Sequence, residues 1–162
     1  MIKKQISTAQ TEIEPGLSAS QKASKEPALA LLRELVKTYQ AFYAYDEAHI
    51  RQLGLTMPQF DVIATLGNTT GMMMSQLAEK TLVTKGTLTG IVDRLEQKGL
   101  VRREVPPDNR RCFIVLLTSK GQQLFEDIFP THIAYLKERL SSLSGEEMAQ
   151  LQTGLQRLRQ LF

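Results

Sequence analysis

The strongest constraint on the fold comes from residues 84–117, where a short amphipathic segment leads directly into a hairpin pattern. Within residues 85–98, four apolar residues recur at helical spacing and form a single stripe. These residues are Leu88, Ile91, Val92 and Leu95. Two β-rich runs, 100–105 and 111–117, flank a turn at residues 106–109. The pattern therefore predicts a helix that buries one face, followed by a hairpin with a basic tip.

The residues before this unit also favour helices. Residues 28–52 carry an unusually wide apolar stripe, which indicates a helix that is covered on more than one side. Residues 56–59 form a capping box with proline in the first turn, so a second helix begins there. The methionine run 72–74 predicts a short buried strand, and Ser75 is expected to cap a helix over 76–82.

The C-terminal part of the chain contains two further predicted helices. One begins at Thr118 and runs to about Leu140, and Pro130 is expected to kink or restart it. The other begins at a capping box, residues 144–147. Its apolar residues form the narrow seam with which a helix pairs with one other helix. The seam consists of Met148, Leu151, Leu155, Leu158 and Phe162.

The order helix, helix, short strand, helix, turn, helix and hairpin is that of a winged helix-turn-helix. We therefore predict a mainly α fold with a small β wing. Residues 1–27 precede this unit, are rich in polar side chains and are expected to form a flexible arm.

The net charge of +3 is small, but it is unevenly distributed. Residues 84–111 hold seven basic and four acidic side chains, whereas the rest of the chain is balanced. A local excess of this kind is the electrostatic footprint expected for a phosphate backbone, although a solvated surface remains the alternative.

The face of the 85–98 helix opposite its apolar stripe is polar and rich in small residues. Short polar side chains allow a helix to approach base edges in the major groove, and a helix N-terminus favours a nearby phosphate. In the hairpin tip, an arginine is placed to enter the minor groove. The predicted DNA contacts are Ser75, Thr84, Lys85, Gly86, Thr87, Thr89, Arg94, Asp108, Arg110 and Arg111.

Several other classes of protein are excluded by composition. No apolar run approaches the ~20 residues of a membrane span, and the N-terminus lacks the apolar stretch of a signal peptide. The single cysteine, Cys112, excludes an internal disulfide framework and a CxxC metal site. His49 and His132 lie far apart in the sequence and are not expected to form a metal site. We predict a cytoplasmic protein that is not an enzyme and needs no cofactor.

The motifs resemble those of the MarR family of bacterial transcription regulators. The resemblance covers about residues 28–162 and rests on a specific order of motifs. The motifs, in chain order, are Leu77-Ala78-Glu79, residues 84–101, Asp108-Asn109-Arg110-Arg111 and Leu116-Leu117-Thr118-Ser119-Lys120-Gly121. Many members carry a larger polar residue where this chain has Gly90.

The resemblance implies a homodimer that binds a pseudo-palindromic operator on double-stranded DNA, most simply as a repressor. It implies that N- and C-terminal helices, residues 28–54 and 119–162, form the dimer interface. Residues 55–118 would then form the winged-helix DNA-binding lobe, with recognition helices in successive major grooves and wing arginines in minor grooves. The wide N-terminal stripe and the C-terminal seam fit this interface independently.

Some regulators of this kind are released from DNA by a small aromatic effector or by an oxidant. Tyr39, Tyr43 and His49 are the candidates for effector contact, with a role in the core as the alternative. Cys112, beside Arg110 and Arg111, is a candidate redox residue, with an inert thiol as the alternative.

Two other functions remain open at this stage. The winged helix could serve as a protein-interaction module, or the protein could bind DNA without sequence specificity as an architectural factor. The polar helix face and the arginine in the wing favour a sequence-specific regulator over both.

Overall fold

The computed structural model describes residues 18–81, 83–105 and 113–162, and the chain divides into two compact units. The first unit ends at Tyr43 and the second extends from Ala44 to Phe162. The helices of the described residues are α1 (Ala19–Ala23), α2 (Pro27–Gln52), α3 (Met57–Leu66), α4 (Met74–Lys80), α5 (Lys85–Gln97), α6 (Ser119–Leu140) and α7 (Gly145–Arg159).

Three short strands form one antiparallel sheet in the second unit. They are β1 (Met72–Met73), β2 (Val101–Glu104) and β3 (Ile114–Leu117). The strand order is β1-β3-β2, so the hairpin strands β2 and β3 pair directly and β1 adds to the other edge of β3. The predicted winged helix-turn-helix, mainly α with a small β wing, is confirmed.

The core of the second unit is built around the apolar stripe of α5. Leu88, Ile91, Val92 and Leu95 are each no more than 1% exposed, as the helical spacing predicted. They belong to one cluster with Val62 and Ile63 of α3, Leu77 of α4 and the strand residues Val101 and Val115. Burying an aliphatic side chain of this size contributes about 1.5–3 kcal/mol, so this stripe fixes the orientation of α5.

The methionine run and Ser75 differ from their predictions. Only Met72 and Met73 form a strand, and Met73 is exposed, so the run is not uniformly buried. Ser75 lies inside the first turn of α4, whose N-cap is Met73. The Met73 N–H donates to Gln76 Oε1 at 3.0 Å. The helix starts early because β1 ends immediately before Met74.

Pro130 lies inside one continuous helix, α6, so the expected restart does not occur. Phe125 and Ile128 before the proline and His132 after it are all buried. Packing on both sides of Pro130 therefore holds the helix together although the proline ring removes one backbone donor.

Thr118 joins α6 to the end of α5. Its hydroxyl oxygen accepts from the Gly121 N–H at 3.0 Å and caps the helix, which begins one residue after the predicted start. The same hydroxyl donates to the Gly99 carbonyl at 2.6 Å. A β-carbon at Gly121 would overlap the carbonyl oxygen of Leu100, so only glycine allows this close approach.

We expect Gly121→Ala to lower the free energy of unfolding by roughly 1–3 kcal/mol, because backbone has to move to accept the methyl group. Gly86→Ala is the matched control, since a β-carbon there meets no atom within 4 Å. That control should be neutral or stabilising by up to ~1 kcal/mol. Urea denaturation of both variants measures the difference, and equal midpoints would contradict the packing described here.

Candidate nucleic-acid interface

The face of α5 opposite the buried stripe is polar and accessible. Gly86, Thr87, Thr89 and Arg94 are exposed, and Gly90 is half-buried. Since the stripe holds the other face in the core, these residues point away from it. The helix-turn-helix formed by α4 and α5 thus presents small and polar groups to solvent over most of the length of α5.

The N-terminus of α5 is organised by two threonines. Thr84 is the N-cap, and its Oγ1 lies 2.9 Å from Oγ1 of Thr87, with both side chains exposed. Lys85 is the first helical residue, and the first turn contains no acidic side chain. This helix terminus, with its positive dipole end and two hydroxyls, is chemically suited to an anionic oxygen.

Gly90 and Arg94 lie one turn apart on the outward face. A β-carbon at Gly90 would lie 3.6 Å from Nη1 of Arg94, an ordinary contact, so packing within this chain does not require glycine here. Arg94 forms no ion pair with another residue in the ranges 18–81, 83–105 and 113–162. Its charge is therefore available to a partner outside these ranges.

Arg103 has a structural task that the sequence analysis missed. Its guanidinium forms ion pairs with Asp93 and Glu96 of α5, and its backbone N–H donates to Glu96 Oε1 at 3.2 Å. The residue thus ties β2 to α5. The available signal was the spacing of Asp93 and Glu96, which places two carboxylates on neighbouring positions of one helix side.

Not all of the basic excess in residues 84–111 is therefore free for DNA. Arg103 is neutralised by two carboxylates, and Arg102 pairs with Glu104 at 2.7 Å. Ser75 is exposed in the first turn of α4. The predicted wing residues Asp108, Arg110 and Arg111, together with Cys112, lie outside the described residues.

His49 and His132, which are 83 residues apart in the sequence, meet in the second unit. Their Nδ1 atoms are 3.0 Å apart, and Nε2 of His132 lies 2.9 Å from Oδ1 of Asp46. All three residues are buried, with exposures of 7% for Asp46, 8% for His49 and 3% for His132. We call Asp46, His49 and His132 the histidine cluster.

Aromatic rings enclose the histidine cluster. Tyr135 stacks on His49 with centroids 4.0 Å apart, and Phe60 of α3 meets His132 edge-on at 4.6 Å. Burial raises the pKa of Asp46, while the neighbouring histidines oppose the change. Burial also lowers the pKa of His132, although Asp46 acts against it.

Of the proposed effector residues, Tyr39 and Tyr43 belong to the first unit and form a tilted ring pair with centroids 6.0 Å apart. Tyr39 is exposed and Tyr43 is half-buried. His49 belongs to the second unit, where it contacts His132 and Tyr135. The structure thus shows one ring pair of which only Tyr39 is exposed, and one buried histidine.

The described residues contain no cluster of three or more His, Cys, Asp or Glu side chains suited to a metal ion. Within the same residues, every helix is too short or too polar to cross a membrane.

Comparison with known proteins gives a consistent result. A family model described as the MarR family matches residues 55–113. The transcriptional regulator MhqR of Bacillus subtilis is 36% identical over 123 residues, which are 76% of this chain and 85% of that protein.

Two solved structures show the same fold. Apo MarR from Escherichia coli superposes with a TM-score of 0.66 at 26% identity and covers 79% of this chain and 96% of its own. BpsR of Bordetella bronchiseptica has a TM-score of 0.69 at 24% identity, and the match covers 84% of this chain and 94% of the BpsR chain. Its structure is described as a mechanism for regulation of DNA binding by 6-hydroxynicotinic acid.

The winged-helix fold shared with these relatives is that of a DNA-binding transcription regulator. The chain belongs to the MarR family.

Proposed function

We propose that this regulator binds a pseudo-palindromic operator on double-stranded DNA as a homodimer and represses transcription. The observation that carries the proposal is the outward face of α5, which is polar, compact and held in place by the buried stripe. A helix with these properties can enter the major groove without steric hindrance from long side chains.

We propose the following DNA contacts, which the position of these residues on α5 supports. Thr87 and Thr89 reach base edges, and the absence of side chains at Gly86 and Gly90 lets the backbone approach the groove. Thr84 and Lys85 at the helix N-terminus contact a phosphate, and Arg94 contacts another. Ser75, exposed in the first turn of α4, is a further candidate for a phosphate contact.

The wing contact is proposed from the sequence alone. Arg110 would enter the minor groove, Asp108 would hold the arginine or the turn, and Arg111 would add charge near the backbone.

The homodimer is supported by apolar side chains that the single chain leaves exposed. In the first unit, α2 exposes Leu31, Leu32, Leu35, Val36, Tyr39 and Phe42. In the second unit, α7 has no buried residue and exposes Met148, Leu151 and Leu155. We propose that a second copy of the chain covers these stripes, with residues 28–54 and 119–162 as dimerisation helices and 55–118 as the DNA-binding lobe.

A small aromatic effector that releases the dimer from DNA is a second element of the proposal. Regulation of BpsR by 6-hydroxynicotinic acid shows that this fold can respond to such a molecule. Tyr39 offers an exposed ring for stacking, with Tyr43 beside it. His49 would contact an effector only after leaving its buried partners. Oxidation of Cys112 is the alternative signal, and it is proposed from the sequence alone.

Two other functions would give different results in binding assays. An architectural protein would bind a selected duplex and a random duplex with similar affinity. A protein-interaction module would bind neither duplex at physiological salt.

A regulator of bacterial genes acts in the cytoplasm, where the chromosome is located.

We expect Thr89→Ala to weaken binding to a duplex selected from a random-sequence pool by about 1–3 kcal/mol, because a base contact is lost. Binding to a random duplex should change much less. Thr131→Ala is the matched control, since Thr131 is also an exposed helical threonine, on α6. Fluorescence anisotropy measures both duplexes, and equal weakening on the two would show that Thr89 contacts only the backbone.

We expect Leu155→Asp to convert the dimer to monomer, because a carboxylate would replace an apolar contact in the interface. The dissociation constant of the dimer should rise a hundredfold or more, since about 1.4 kcal/mol corresponds to each factor of ten. Gln156→Asp, one position along the same exposed helix, is the control and should remain dimeric. Sedimentation equilibrium decides, and a wild-type chain that is monomeric at micromolar concentration would disprove the dimer.

A further inference from the structure

The histidine cluster is a buried polar group that the proposed DNA contacts do not use. A contact of 3.0 Å between two Nδ1 atoms requires a hydrogen on one nitrogen and a lone pair on the other. With both histidines neutral, His49 Nδ1–H donates to His132 Nδ1, and the hydrogen of His132 lies on Nε2, which is 2.9 Å from Asp46 Oδ1 but not aligned with it. The cluster then carries the single negative charge of the carboxylate.

One additional proton changes this pattern. If His132 becomes an imidazolium, both of its nitrogens carry hydrogen, and His49 has to present the lone pair of its Nδ1. If His49 takes the proton instead, its Nε2 gains a hydrogen and the contact between the rings is kept. A second proton would place N–H against N–H and separate the rings. The geometry therefore allows no more than one imidazolium.

The negative form has an unsatisfied buried atom. Asp46 Oδ1 has no aligned hydrogen-bond donor among the described residues, although Nε2 of His132 is 2.9 Å away. Leaving a buried carboxylate oxygen without a donor costs free energy. A proton added to Nδ1 of His132 would make the contact with Asp46 an ion pair, which is strongest when the Nε2–H is aligned with Oδ1. We therefore expect the protonated His132 ring to turn towards Asp46.

The histidine cluster connects the helices on either side of the DNA-binding lobe. Asp46 and His49 belong to α2, and His132 belongs to α6. Phe60 of α3 packs against His132, and α3 contacts the recognition helix α5 within the same core. A shift of the His132 ring would therefore act on Phe60 and reach α3, which contacts α5.

We propose that Asp46, His49 and His132 form a proton-responsive lock, in which protonation of the cluster at acidic pH moves α3 and lowers the affinity of the lobe for DNA. The effect on DNA rests on the proposed function, whereas the shared proton does not.

The ionisable groups around the cluster come from three helices. From α2, Tyr45 stacks on Tyr135 of α6 at 4.5 Å, and the guanidinium carbon of Arg139 lies 5.5 Å from the centre of the Tyr45 ring. The hydrogen bond with Tyr45 raises the pKa of Tyr135, so the Tyr135 hydroxyl does not titrate near neutrality. Asp61 is the ionisable residue of α3.

The direction of the pH effect follows from the histidine. Burial lowers the pKa of His132 below 6.5, so the unfolded chain takes up a proton before the folded chain does. Its contribution to stability is full above pH 6.5 and is lost as the pH falls towards the folded-state pKa. The raised pKa of Asp46 acts in the opposite sense, because its contribution to stability is full below pH 3.8 and is lost as the pH rises towards the folded-state pKa.

The shared proton can be observed directly because the chain has only two histidines. In ¹⁵N-histidine NMR of the full chain at about pH 7.5, one Nδ1 should be protonated and the other not, as the 3.0 Å contact requires. On acidification, both rings should respond to the same protonation step. Two rings that titrate independently near their ordinary pKa would overturn the lock.

The DNA effect is tested with a duplex selected from a random-sequence pool at about pH 7.5. At constant salt, the dissociation constant of wild type should rise on acidification to about pH 5.5, by up to tenfold per pH unit for each linked proton. His132→Gln should remove this rise. An unchanged wild-type affinity across the range would overturn the coupling, and failure of every duplex to bind at about pH 7.5 would instead contradict the proposed function.

A second variant keeps the test decisive if His132→Gln does not fold. Asp46→Asn removes the carboxylate that favours the imidazolium, so the midpoint of the pH response should move to lower pH. Glu47→Gln is its matched control, because Glu47 is the adjacent carboxylate and pairs with Arg51 at 3.1 Å near the surface. Equal midpoints for Asp46→Asn and Glu47→Gln would overturn the assignment.

Discussion

The burial of one apolar stripe on α5 determines the rest of the structure. Leu88, Ile91, Val92 and Leu95 occupy the centre of the core, in contact with α3, α4 and the sheet. Because these four residues fix the rotation of the helix about its own axis, the opposite face has to point outward. That face carries the threonines and glycines that we propose read DNA. A helix of the same composition without the stripe would have no defined face to offer.

Two further interactions hold the recognition helix at both of its connections. Arg103 bridges Asp93 and Glu96 and so ties the wing strand to α5. Thr118 and Gly121 fasten the end of α5 to α6 through the carbonyls of Gly99 and Leu100. These contacts place the wing and the long helix at defined positions relative to α5, which a site built on rigid elements requires.

The local elements could be predicted from the sequence, because periodicity and capping depend on near neighbours. The α5 stripe, the hairpin strands and the Ser144 capping box are examples. The prediction that Ser75 caps α4 was wrong, because β1 ends at Met73 and the helix begins directly after it. The end of β1 depends on its pairing with β3, which lies far away in the sequence. The contact between His49 and His132 spans 83 residues, and no local pattern reports it. The spacing of Asp93 and Glu96 places two carboxylates on one side of α5, but their pairing with Arg103 depends on how β2 packs against α5.

The central claim is that two copies of α5 read one symmetric operator, and a hydroxyl-radical footprint on the selected duplex tests it most directly. Two chains related by a two-fold axis should protect two half-sites on one side of the helix. Their centres should be separated by about one helical turn, 10–10.5 base pairs, or a multiple of it. One uninterrupted half-site, or uniform protection along the duplex, would contradict the account.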